Sequence, residues 1–228
     1  MKEDPQCPPF LRAGELVSVS SAAGLRTSPV SERGSWNRNI HYHDVVLAAV
    51  PPACARALDV GCGDGLLASE LAARCGEVVA IDVNRPALAR ASAKYGRPHL
   101  TFVEGDVMSH AFEPASFDVI AAIATLHHLP LSQGLERFKQ LLRPGGVLTI
   151  IGLYRLHAPS DFAYALAAIP VSWWFRCTKD YEEVAAPMRD PDETLAAVTA
   201  CAARVLPGVS IRRRLLFRYS LVWQKPSD

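Results

Sequence analysis

The run ALDVGCGDGLL, residues 57–67, constrains the fold more than any other stretch of the chain. A short apolar segment ends in Asp59, glycines follow at 61, 63 and 65, and a helical pattern begins at once. Glycines at a strand-to-helix turn permit positive φ and let a ligand lie against bare backbone. The free N–H groups of the helix start then face that ligand. Asp82 closes the next apolar segment, about 20 residues beyond Gly61, where a doubly wound fold places a carboxylate to grip ribose hydroxyls. A glycine turn alone is a weak signal, but with the spaced acid it predicts a nucleotide-like ligand across two parallel strands.

The surrounding pattern agrees. ARALDV (55–60), EVVAID (77–82), LTFVEGD (100–106), FDVIAAIA (117–124) and VLTIIGLY (147–154) read as strands. Between them lie helical segments at 65–76, 85–96 and 131–142, and HYHDVVLAAV (41–50) reads as a helix before them. Strands separated by helices of this length imply βαβ units and a parallel sheet. The end of the chain departs from that rhythm. A helix is expected over TLAAVTACAARVL, opened by Pro191-Asp192-Glu193, and then VSIRRRL and FRYSLVWQK form two closely joined strands. A short connection demands an antiparallel pair. The fold class is therefore α/β, a doubly wound, mostly parallel sheet with a C-terminal antiparallel β-hairpin.

Residues 1–35 are rich in Ser, Gly and small residues and read as a flexible arm or active-site cover. Residues 36–228 read as a single domain with a substrate-side insertion at about 154–190. With 24 basic and 23 acidic side chains, net +1, no global field gathers polyanions, which disfavours nucleic acid as a partner. The balance conceals a cluster of acids over 180–193 and four arginines over 211–218. A hydrophobic content of 50% with no apolar run of about 20 residues predicts a folded chain outside the membrane. The start MKEDPQCPPF lacks the apolar core of a secretory signal, so a cytoplasmic location is expected. Six cysteines without a CxxC or a Cys/His cluster read as free thiols, not as a metal or redox motif.

A nicotinamide or flavin enzyme is the first alternative. Its G-x-G-x-x-G fingerprint is not met, because the third glycine comes one residue early. Asp59 before the turn also suits a positively charged ligand better than a pyrophosphate.

LDVGCGDG resembles motif I of the class I S-adenosylmethionine-dependent methyltransferases, and VVAIDVN their acidic ribose-binding motif. FVEGDV resembles their adenine-contacting segment, FDVIAAIATLHHL their fourth-strand motif, and LLRPGGVLTI their turn into strand five. The resemblance spans residues 57–152 and implies a seven-stranded sheet and S-adenosyl-L-methionine as cofactor, with S-adenosyl-L-homocysteine as product. Carried over by position, Asp59, Gly61, Cys62 and Gly63 line the amino-acid end of the cofactor. Asp82 binds the ribose, and Val83 packs on adenine. Asp106 and Val107 meet the adenine edge, and Ala122 and Ile123 lie beneath the sulfonium. Some relatives use Glu residues after strand four to bind a metal. Ala124 and His127 stand at those positions here, so no metal is expected.

His127 and His128 follow strand four, at the carboxyl edge where ligands bind in such sheets, and are the candidate catalytic bases. Tyr42, Tyr154, Trp173 and Trp174 are the candidate acceptor-binding residues, an aromatic cover for a flat or apolar molecule. The expected activity is methyl transfer to a small, aromatic or otherwise apolar acceptor by a monomer or homodimer. The alternatives are a methyltransferase for RNA or protein, or a non-catalytic relative that binds the cofactor.

Overall fold

The inner strands of the central sheet are apolar on both faces because helices cover both sides. In the computed structural model β1 (Arg56–Val60), β2 (Glu77–Asp82), β3 (Leu100–Glu104), β4 (Phe117–Ile123), β5 (Leu142–Leu153), β6 (Ser210–Arg214) and β7 (Arg218–Gln224) form one sheet of order β3-β2-β1-β4-β5-β7-β6. The structure describes residues 35–157 and 190–227, with 161, 162, 164, 166, 169, 170, 180 and 181 between them. Trp173 and Trp174, and the arm over 1–34, lie outside the described residues.

The first five strands are parallel; β7 runs antiparallel between β5 and β6. The chain thus crosses from β1 outward to β3, returns to β4, and leaves a switch point between β1 and β4. Ligands bind at such a point in open α/β sheets. Side chains alternate in β4: Ile120 and Ala122 join one buried cluster, Val119, Ala121 and Ile123 the other. Helices α4 (Leu131–Leu141) and α5 (Leu195–Val205) contribute to the first cluster, α1 (His43–Leu47) and α2 (Leu66–Leu71) to the second.

Local chemistry sets the helix starts. Before α3 (Arg85–Tyr95) the Asn84 side chain accepts the Ala87 N–H at 3.2 Å, with Pro86 in the first turn. Thr194 caps α5 by accepting the Ala197 N–H, which fixes the helix start just after Pro191-Asp192-Glu193. Gly152 of β5 pairs with Tyr219 of β7, and a Cβ on Gly152 would collide with the Tyr219 ring. Outside the main sheet, Ser35–Trp36 pairs in parallel with Asp180–Tyr181. Among the described residues no helix is long and apolar enough to cross a membrane.

The arginine run of β6 and β7 is largely tied to protein groups. Arg213 pairs with buried Asp161 at 2.5 Å and lies over the Tyr154 and Tyr164 rings. Arg214 donates to the Ser220 hydroxyl at 2.9 Å, and buried Arg218 to Asn39 Oδ1 at 2.9 Å. Only Arg212 of the four is exposed, so the run fastens the insertion and the N-terminal segment to the sheet edge.

Candidate active site

The three glycines after β1 all adopt positive φ (70°, 52° and 79°) yet serve different ends. A Cβ on Gly61 would strike the Thr125 side chain, and one on Gly65 would meet Ala91 and Phe102 at 2.8 Å. These two let the turn press against Thr125 beyond the end of β4, and against α3 and β3. A Cβ on Gly63 would meet nothing within 4 Å, so Gly63 alone borders open space. The turn is held rigidly. Gly61 and Cys62 N–H groups both donate to the Ile81 carbonyl (2.8 and 3.2 Å), and the Thr125 hydroxyl donates to the Val60 carbonyl (2.9 Å). Arg90 pairs with Asp64 at 2.7 Å on the outer side.

Asp82 ends β2 with Oδ2 accepting the Gly63 N–H and Oδ1 accepting the Asn84 N–H, both at 2.8 Å. Each carboxylate oxygen has a second lone pair, so the group is oriented and still able to accept from two hydroxyls. Beside it Val83 is 71% exposed, an apolar surface with no protein cover. Past β3, the Asp106 side chain is exposed, with Oδ1 accepting the Met108 N–H at 2.9 Å. Val107 turns its side chain into the core. It therefore packs instead of offering a side chain to a ligand.

Asp59 is the most unusual group of the edge. It is 2% exposed, and its Oδ2 has no hydrogen-bond partner among the described residues. Burial pushes its carboxyl up to about 8, and the Asp82 charge adds to the rise. A buried carboxylate with an unfilled acceptor is costly. A ligand ammonium placed there would satisfy the acceptor and offset the charge. Burial likewise raises the Cys62 thiol, with Asp59 and Asp82 contributing, so Cys62 is a neutral neighbour of the turn.

Ala122 and Ile123 are enclosed on opposite faces of β4 and support the edge by packing. After them Ala124 holds φ 53° and donates its N–H to the Ile151 carbonyl at 2.7 Å, turning the chain sharply into a 3-10 helix, Leu126–His128. His127 is half-buried and His128 exposed, their rings 4.0 Å apart. Both line a cavity of about 290 Å³ whose other walls include Leu153, Val198 and Tyr219, with Asp192 and Glu193 across it.

Two expected acceptor contacts lie elsewhere. Tyr42 is 5% exposed and donates its hydroxyl to the Leu215 carbonyl at 2.6 Å. Tyr154 is 4% exposed, in the core beside Tyr219. Both are packing residues and not part of an exposed aromatic cover, because each ring fills space between elements that the sequence separates widely. Sequence reasoning missed Thr125, which braces the glycine turn, and Tyr219 as a cavity wall. The only signal for Tyr219 was its place on the apolar face of the hairpin. Among the described residues no group of three or more His, Cys, Asp or Glu side chains could hold a metal ion.

These residues fit the parts of a nucleoside sulfonium ligand: an acid for its cationic end, an oriented carboxylate for its ribose, and an exposed valine for its base. The comparisons with known proteins agree. A family model described as "Methyltransferase domain" matches residues 58–150. An uncharacterized methyltransferase of Mycobacterium tuberculosis (strain H37Rv) is 32% identical over 192 residues, covering 84% of this chain and 98% of that protein. A ubiquinone biosynthesis O-methyltransferase of Xanthomonas campestris pv. campestris (strain B100) is 36% identical over 128 residues, 54% of this chain and 52% of that one. Among solved structures, the N-methyltransferase NodS of Bradyrhizobium japonicum, in complex with S-adenosyl-L-homocysteine, superposes with a TM-score of 0.55 at 16% identity, over 82% of this chain and 87% of that one. The YcgJ protein of Bacillus subtilis gives a TM-score of 0.58 at 17% identity, over 76% and 71%. A sheet of this order, the acid-flanked glycine turn and a relative matched over nearly its whole length lead to one conclusion: the chain belongs to the class I S-adenosylmethionine-dependent methyltransferases.

Proposed function

We propose that this methyltransferase acts on a small organic acceptor, apolar or aromatic in its body, held in the cavity below His127 and His128. The observation that carries this reading is the cavity itself. It lies directly after β4, with His127 and His128 in its lining beside the apolar Leu153 and Val198, Tyr219, and the acids Asp192 and Glu193. At about 290 Å³ it is just below the usual size of small-molecule sites, which suits a small acceptor. A similar protein, 36% identical over 128 residues, is an O-methyltransferase of ubiquinone biosynthesis, which supports a small acceptor. Against RNA as acceptor, three of the four arginines over 211–218 are engaged with protein groups.

When bound, S-adenosyl-L-methionine supplies an activated methyl group, so the protein has little bond chemistry of its own to perform. Asp82 grips the ribose hydroxyls, and the open face of Gly63 lets the ligand approach the backbone. Asp59 balances the ligand's ammonium, while Val83 and Asp106 flank the adenine. The fixed turn and the 3-10 helix together set the acceptor in line and exclude water. His127 or His128 takes the proton that the acceptor loses. The arm and the 154–190 stretch select the acceptor, and the enzyme works in the cytoplasm as a monomer or homodimer.

Incubation with labelled S-adenosylmethionine and fractionated metabolite extract tests the reading. Label in a small molecule identified by mass spectrometry supports it. Label confined to RNA or protein overturns the acceptor class.

A further inference from the structure

Two buried thiols stand side by side at the end of the sheet opposite the glycine turn. Cys54 precedes β1 and Cys75 precedes β2. Gly76 donates its N–H to the Cys54 carbonyl at 3.0 Å, and Glu77 to the Ala55 carbonyl at 2.8 Å. The parallel register that pairs Arg56 with Glu77 thereby runs backward and sets the two cysteines abreast. Parallel neighbours run about 4.8 Å apart, within the span a disulfide bridges.

Both cysteines are 6% exposed, free of any disulfide and part of the same apolar cluster. The neighbouring Cys54 side chain holds the Cys75 thiol below its ordinary value against the opposing push of burial, while the same neighbour and burial drive Cys54 up. Cys75 is thus the more nucleophilic partner, already in contact with a resolving thiol. The flanking residues Ala53, Ala55, Arg74 and Gly76 are exposed, so the pair lies just beneath the surface and a small oxidant needs only a shallow opening to reach it.

We propose that Cys54 and Cys75 are an oxidation site that closes to a reversible disulfide on exposure to a hydroperoxide. The Cys75 thiolate attacks one peroxide oxygen, the O–O bond breaks, and the departing hydroxide takes up a proton to leave as water. The Cys54 sulfur then attacks the sulfenic sulfur of Cys75. The S–S bond forms, the S–O bond breaks, and the Cys54 proton leaves with the hydroxyl as a second water. Two thiols lose two electrons and one peroxide gains them. The ring so closed, residues 54–75, contains β1, the whole glycine turn and α2, the elements that frame the cofactor site.

The test is peptide mapping without reduction after the reduced full-length protein is treated with hydrogen peroxide and then alkylated. A Cys54–Cys75 cross-linked peptide that dithiothreitol removes supports the site. With it, the melting temperature of the oxidised wild type rises by roughly 5–10 °C, and that of Cys75→Ser and Cys54→Ala does not rise. Cys54→Ala keeps the buried position apolar and serves even where the serine variant fails to fold. Recovery of both residues as alkylated thiols after Cys62 or Cys201 has been oxidised overturns the proposal. A bridge from either residue to another cysteine, or sulfinic acid at Cys75 without a bridge, overturns it equally. None of these outcomes depends on the acceptor.

Discussion

Gly63 donates its backbone N–H to Oδ2 of Asp82 at 2.8 Å, so the glycine turn after β1 and the acid ending β2 are one hydrogen-bonded unit. The glycine that borders open space is fixed by the same carboxylate that we propose holds the ribose. Asp82→Ala removes both at once. Its expected effect is a loss of S-adenosylmethionine affinity of 100-fold or more, from about 1.5–3 kcal/mol for each hydrogen bond to a charged group. Calorimetry measures it, and unchanged affinity would remove Asp82 from the site.

The glycines separate folding from binding. Gly61→Ala drives a methyl into Thr125, and Gly65→Ala into Ala91 and Phe102, so both should destabilise by about 1–3 kcal/mol. Gly63→Ala meets no atom and strains only a φ of 52°. It should fold with a smaller loss of stability yet bind cofactor poorly, because the methyl would enter the open space proposed for the ligand. Denaturant melts beside calorimetry resolve the two; equal stability losses at all three positions would contradict this division.

The pH dependence follows from Asp59. Its folded value of about 8 stands above the unfolded carboxylate near 3.9. The folded state therefore binds this proton more tightly. The penalty for ionising it is absent below pH 4, grows between pH 4 and 8, and persists above. Asp59→Asn should accordingly melt higher than wild type at pH 9 and alike at pH 4. Cofactor binding runs the other way, since a cationic ligand favours the ionised acid. Wild-type affinity should rise with pH towards 8, and in Asp59→Asn be lower and lose most of that dependence. Thermal melts across pH 4–9 and titrations across pH 5–9 check both signs.

His127→Ala and His128→Ala divide the proton-transfer role. If one imidazole is the base, its loss should lower kcat by about 100-fold or more with little change in cofactor affinity. Single-turnover rates for both variants and the double variant provide the measurement. Equal turnover in all three would leave alignment of the acceptor as the whole of catalysis.

Much of this architecture was legible because it depends on neighbours in sequence. The glycine turn, the acid at the end of β2 and the period-two hairpin each write their structure within a few residues. Tyr42 and Tyr154 were misplaced for the opposite reason. Their surroundings, the Leu215 carbonyl and the Tyr219 ring, come from strands far along the chain, and nothing local distinguishes a buried tyrosine from one facing a ligand. Arg213, Arg214 and Arg218 are only a run of like charge in the sequence until Asp161, Ser220 and Asn39 are brought beside them.

The short ladder between Ser35–Trp36 and Asp180–Tyr181 joins the two stretches proposed to choose the acceptor. Backbone pairing of this kind carries no side-chain code, so it tolerates altered residues on either partner but not the loss of a partner. A different sequence over 154–190 therefore keeps its fastening to the N-terminal segment as long as it still presents a strand at 180–181, so this stretch can change its side chains without losing its place.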